Sequence, residues 1–142
     1  MAKIRPFKAF RPSPELVEEV AAVPYDVINT EEARELACGK EKSFLRIIRS
    51  EIEFSEDQDP YAAEVYQKAK TNLENLISES TLIQEDADSI YIYRQEIDGH
   101  SQTGVVALSS VDEYDSGLIK IHEKTRPVKE DDRTRHMVVS GA

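Results

Sequence analysis

The stretch from Asp59 to Ile77 constrains the fold most. Asp59-Pro60 is a helix start, with proline in the first turn where its missing N–H costs nothing. Beyond it Ala62, Val65, Tyr66, Ala69, Leu73, Leu76 and Ile77 recur at spacings of three and four and so share one helix face. A helix with a single apolar stripe must bury it against other elements. The pattern therefore predicts a globular core crossed by this helix, with the stripe serving as core and not as a ligand box. A chain of 142 residues can bury such a core without disulfides or a metal, and residues 1–142 are expected to form a single domain.

Weaker signals place other elements around that helix. Ile4 to Phe10 alternates apolar and polar positions as a short strand does, and Ser13-Pro14 then starts a short helix through Val20. Asn29 followed three residues later by Glu32 is a capping box, predicting a helix from Thr30 to Cys38 that Gly39 stops. Ser43 to Arg49 is short and rich in branched apolar residues, which predicts a strand, and the acidic run from Glu51 to Asp59 reads as a solvated connection. Ser89–Ile97 and Gln102–Val111 flank Asp98-Gly99, a dipeptide suited to the positive φ angles of a tight reversal, so they are expected to pair as an antiparallel hairpin. Gly117 to Ile121 resembles one more strand, which would deliver His122 and Glu123 to a sheet edge. The expected class is α+β, a mixed β-sheet with an antiparallel hairpin and flanking helices. The final Met137-Val138-Val139-Ser140-Gly141-Ala142 reads as a helix awaiting a further strand, so the chain is expected to be the N-terminal part of a longer protein.

Composition narrows the function classes. No run approaches the roughly eighteen apolar residues that span a bilayer, and the N-terminus lacks the apolar core of a secretory signal. With Cys38 the sole cysteine, a reducing cytoplasm is the expected compartment, and Cys38 itself is expected to be a small buried residue. The formal charge of −10 repels phosphate backbones at long range, which weighs against DNA as a partner while leaving a local basic site open.

Titratable side chains are densest between His122 and His136, which hold two of the three histidines, five of the eighteen basic residues and four carboxylates. Lys124, Thr125 and Arg126 offer phosphate oxygens a point charge, a hydroxyl and a planar donor fork, while Glu123 offers a proton acceptor. That set suits phosphoryl transfer. A solvated loop is the plain alternative, with Glu130, Asp131 and Asp132 as the N-terminal acids of a last helix. Zinc is excluded at His122-Glu123, because a metalloprotease helix needs its second histidine where Arg126 stands. His100, after the turn, is expected to be an exposed turn residue. Asp26, in Pro24-Tyr25-Asp26-Val27-Ile28, is the second candidate: an ordered apolar loop can hold a carboxylate beside a pocket, although aspartate also forms turns. Arg5, Arg11, Arg46 and Arg49 offer anion contacts, or the ordinary solvated face of a sheet.

The ordered series Ile4-Arg5-Pro6, Pro24-Tyr25-Asp26-Val27-Ile28, Ser43-Phe44-Leu45-Arg46, Gly104 and His122-Glu123-Lys124-Thr125 with Asp132-Arg133 resembles the bacterial and archaeal domain-of-unknown-function 1015 family. The resemblance runs through nearly the whole chain. It implies a ParB-like fold related to free-serine kinases, and some relatives carry Spo0J-like chromosome-partition labels. Longer members carry an Asp-Gly-His-His-Arg segment that this sequence lacks, so the chain is expected to supply only part of a pocket. The kinase relationship implies Glu123 or Asp26 as the base and His122, Lys124, Thr125, Arg126 and Arg133 as phosphate or nucleotide contacts. It further implies ATP or ADP with Mg²⁺ and a small-molecule hydroxyl substrate such as serine. The alternatives are a ParB/Spo0J-like regulator that binds DNA or a nucleotide, and a non-catalytic interaction module.

Overall fold

The computed structural model describes residues 2–120 and 126–141. Within them, 2–11 with 84–120 form one compact unit and 12–83 with 126–141 a second. The architecture is α+β, with six helices and three two-stranded sheets among the described residues. No described helix is long and apolar enough to cross a membrane.

In the first unit β1 (Ile4–Arg5) pairs antiparallel with β6 (Leu108–Ser109), and β4 (Tyr91–Ile97) pairs antiparallel with β5 (His100–Val106) in the register Tyr91↔Val106 to Ile97↔His100. Asp98 and Gly99 take φ angles of 50° and 77°. This is the double left-handed turn that matches the right-handed twist of the strands. Tyr91 ties the hairpin to the N-terminal stretch: its hydroxyl accepts from Ala9 N at 2.9 Å and donates to Phe7 O at 3.0 Å, and its ring lies 5.1 Å from that of Phe7. Helix α5 (Val111–Asp115) follows, capped by the Ser110 side chain.

The strand predicted at Ile4–Phe10 is interrupted; its far end belongs to β2 (Phe10–Pro12), which pairs with β3 (Leu82–Gln84). The described part of the strand predicted at Gly117–Ile121 is also not extended. Gly117 at φ 73° stops α5, its N–H bonding Tyr114 O at 3.0 Å, and Ile119 N returns to Glu113 O. The glycine acts as a helix stop and not as a strand start.

The second unit holds the core. Val20 at the end of α1 (Val17–Val20), Ile47 of α3 (Leu45–Ile48), Leu76 of α4 (Ala63–Ser78) and Leu82 are buried together, with Leu16, Phe44, Leu73 and Ile77 packed against them. The stripe read from the sequence supplies the centre of this core, since Val65, Tyr66, Ala69 and Leu76 are buried. Helix α2 (Thr30–Ala37) carries the predicted capping box, Asn29 Oδ1 accepting from Glu32 N and Glu32 Oε2 from Asn29 N. Cys38 is exposed at the end of α2, which corrects the expectation of burial: Gly39 at φ 71° turns the chain outward there.

Within Ser43–Arg49, where the sequence predicts a strand, Leu45–Ile48 is a helical turn. Side chains satisfy the carbonyls of this single turn: Ser50 Oγ donates to Arg46 O at 2.7 Å and Ile47 O at 2.9 Å, and Asn72 Nδ2 donates to Arg46 O at 2.7 Å. Partners on other elements thus override the β preference of Ile47 and Ile48. The acidic run that follows is not wholly solvated either, because Ser50–Glu53 forms a 3-10 turn in which Glu51 is buried. Arg34 holds that turn by donating to Phe54 O at 2.9 Å and Ser55 O at 3.3 Å. Helix α6 (Pro127–Ser140) packs along α4 and closes the unit.

Candidate functional site

A cleft of about 200 Å³ opens in the second unit between α3, the 3-10 turn, α4 and α6. Its polar wall comes from α6, where Lys129, Asp132, Arg133 and His136 follow the i, i+3, i+4, i+7 spacing of one helix face. The outward face of α6 is mixed, with Val128 63% and Val138 77% exposed beside the exposed Glu130, Asp131 and Arg135. Part of its charge, Lys129, Asp132 and Arg133, faces the cleft, and α4 opposite makes room for it. Ala69 is small, and Tyr66 places a hydroxyl at the depth of Asp132.

Each inward charge has a partner. Tyr66 donates to Asp132 Oδ1 at 2.8 Å, and Arg133 donates to Asp132 Oδ2 through Nη2 at 2.7 Å and Nε at 3.1 Å. On the opposite wall Arg49 Nε lies 3.0 Å from Glu51 Oε1, and Arg49 Nη2 donates to Thr30 Oγ1 at 3.0 Å. His136 Nε2 is 2.8 Å from Ile47 O. The Tyr25 ring lies under Arg133 as well as Lys129, 4.2 Å from the Arg133 guanidinium carbon and 5.7 Å from Lys129 Nζ. An aromatic face attracts cations without cancelling their charge.

Burial, with the Asp132 hydrogen bond and its negative charge adding to it, pushes the Tyr66 hydroxyl up to about 12 from its ordinary value of 10.0, against the pull of Arg135 and Arg133. A group whose pKa rises on folding stabilises the fold fully below its unfolded value and loses that contribution as pH climbs through the folded one. The tyrosine absorbance titration should therefore show a step near pH 12 that is missing in Tyr66→Phe. An unchanged titration curve in that variant would detach Tyr66 from the buried carboxylate.

The residues chosen from the sequence are placed unevenly. Arg133 lines the cleft, whereas Arg126 is exposed at the N-cap of α6. Asp26 is exposed in a turn closed by Val27 N to Pro24 O at 3.4 Å and does not line the cleft; its neighbour Tyr25 makes the contact instead. His122, Glu123, Lys124 and Thr125 lie outside the described residues. His100 is exposed at the start of β5, as expected of a residue after the turn. Arg46 serves structure, donating to Ala37 O, Lys40 O and Glu53.

Arg49, offered from the sequence as an anion contact, lines the cleft, whereas Thr30, Tyr66, Lys129 and His136 were missed as cleft residues. The polar i, i+3, i+4, i+7 series on α6 was the available signal. Among the described residues no group of three or more histidine, cysteine, aspartate and glutamate side chains could hold a metal ion. The donor set instead fits phosphate oxygens: Lys129 is a point charge, Arg49 and Arg133 are planar forks, and Thr30 is a hydroxyl.

A family model described as a protein of unknown function (DUF1015) matches residues 4–142. No curated protein and no solved structure matches the chain.

Proposed function

We propose, from the premise that the chain belongs to the DUF1015 family of proteins of unknown function, that the cleft of its second unit binds the phosphate end of a small molecule or nucleotide. The activity it serves in this proposal is nucleotide-dependent phosphoryl transfer to serine or a similar small hydroxyl compound. One observation carries the binding step: on a chain of net charge −10, Arg49, Lys129 and Arg133 line one cleft in which, among the described residues, Glu51 and Asp132 are the acids. A gathering of cations against the overall charge needs a local reason, and an anionic ligand supplies one. The volume suits a phosphate group with a short organic tail. His122, Lys124, Thr125 and Arg126 directly precede α6 in the sequence and would add phosphate contacts, with Mg²⁺ arriving on the nucleotide. The chemistry ATP or ADP supplies is an activated phosphoryl group. A DNA-binding regulator is the weaker alternative, because the acidic chain repels a phosphate backbone.

Calorimetric titration of the whole chain with inorganic pyrophosphate should show saturable binding. Lys129→Ala should weaken it roughly tenfold, the worth of one charge-assisted contact. ATP or ADP with Mg²⁺ and a panel of hydroxyl amino acids should yield a phosphomonoester seen by phosphorus NMR. Absence of pyrophosphate binding sinks the site, absence of any product sinks the kinase step, and salt-dependent retention on DNA would favour the regulator.

A further inference from the structure

We infer that His136 is the proton acceptor of this cleft, taking the hydroxyl proton of the substrate on Nδ1; the inference rests on the phosphoryl-transfer reading above. A peptide carbonyl only accepts hydrogen bonds, so the 2.8 Å contact between His136 Nε2 and Ile47 O requires the proton to sit on Nε2. In the neutral ring Nδ1 then carries the lone pair. Among the described residues Nδ1 has no hydrogen-bond partner, and it is not one of the buried polar atoms left unsatisfied. It is therefore the unpartnered nitrogen, among the described residues, of a ring that lines the cleft and whose other nitrogen is anchored.

That anchor comes from the core itself. Ile47 is 2% exposed and belongs to the cluster with Val20, Leu76 and Leu82, so its carbonyl is a rigid reference for the ring. Tyr66 meets the ring edge-on with centroids 6.4 Å apart, limiting rotation from the α4 side. The arrangement has the two marks of a general base, an oriented tautomer and an unpartnered nitrogen beside a site for the other reactant. Asp26, the carboxylate chosen from the sequence, has neither.

The step balances as follows. The substrate hydroxyl oxygen forms a bond to the terminal phosphorus of a nucleoside triphosphate as the bridging P–O bond breaks, its electron pair leaving on the nucleoside diphosphate. The hydroxyl proton passes to His136 Nδ1, giving an imidazolium that Ile47 O still holds through Nε2–H. The imidazolium later releases its proton to solvent.

Two measurements test it. Long-range nitrogen–proton NMR of the whole wild-type chain, with the His136 signal assigned by its loss in His136→Gln, should show the neutral ring protonated on Nε2. Protonation on Nδ1 overturns the proposal whatever the activity. In turnover with ATP, Mg²⁺ and the hydroxyl panel, His136→Gln should lower kcat by about 10²–10⁴-fold with KM for the nucleotide unchanged. Glutamine keeps a side-chain N–H for Ile47 O and loses only the base, so a purely anchoring role predicts near-normal kcat in that variant. Wild-type turnover that survives His136→Gln but is lost in Glu123→Gln overturns His136 alone. Absence of wild-type turnover overturns the phosphoryl-transfer reading with it.

Discussion

Asp132→Ala should destabilise the second unit by about 3 kcal/mol, seen as a lower denaturant midpoint at unchanged slope. Asp132 is 8% exposed and accepts from Tyr66 and from Arg133. Its removal leaves a buried hydroxyl unpaired and a half-buried guanidinium without its counter-charge, and each carries a desolvation cost of about 1–3 kcal/mol. Arg133 keeps some solvent contact and the face of Tyr25, so the lower part of the range for broken buried pairs applies. Asp132→Asn retains an acceptor for the Tyr66 hydroxyl and should cost less. In the double variant Asp132→Ala with Tyr66→Phe no orphaned hydroxyl remains, so the combined loss should fall short of the sum of the single losses. Strict additivity would mean the two groups do not share one bond in solution.

Ile47→Ala should cost about 3–4 kcal/mol, within the range for emptying a buried aliphatic site, whereas Ile47→Val should cost about 1 kcal/mol. Ile47 is 2% exposed and packs with Val20, Leu76 and Leu82. Its loss leaves a cavity between three elements that cannot all collapse into it. The same residue presents its carbonyl to His136, so the smaller Ile47→Val change should leave the His136 tautomer as in wild type while Ile47→Ala disturbs it. A cost for Ile47→Ala no larger than that of a surface substitution would show that α3 is not part of the core.

The parts of this fold that could be read in the sequence are those whose partners lie close along the chain. The α4 stripe, the Asn29–Glu32 capping box and the Asp98-Gly99 reversal each depend on spacings of two to four residues. Leu45–Ile48 was misread because what makes it helical is remote: Asn72 and Ser50 take the carbonyls that a sheet neighbour would otherwise take. Alternating burial of Ser43, Leu45 and Ile47 even mimics a strand. Glu51 was misread for a related reason, since its burial depends on Arg49 and on Thr30 of another helix. The cleft was half legible. Its region of the sequence, up to His136, stood out by charge density, and Arg133 was named. Lys129 and His136 were not, because charged residues on a helix are expected to face solvent. On α6 the rule holds only in part: Glu130, Asp131 and Arg135 are exposed, but so are Val128 and Val138, and Asp132 is buried. Tyr66 shows the converse, a core stripe residue whose hydroxyl joins the polar site.

The division of the chain has a consequence for synthesis. The second unit is assembled from residues 12–83 and from α6, and the residues between them belong to the first unit. On the ribosome the N-terminal helices emerge early and can collapse around Ile47 and Leu76. The Tyr66 hydroxyl then waits, hydrated, until Asp132, 66 residues later in the chain, has been made. Maturation of the cleft is thus a late event in the life of each molecule, and a nascent chain stalled before Pro127 carries the core without the charged wall.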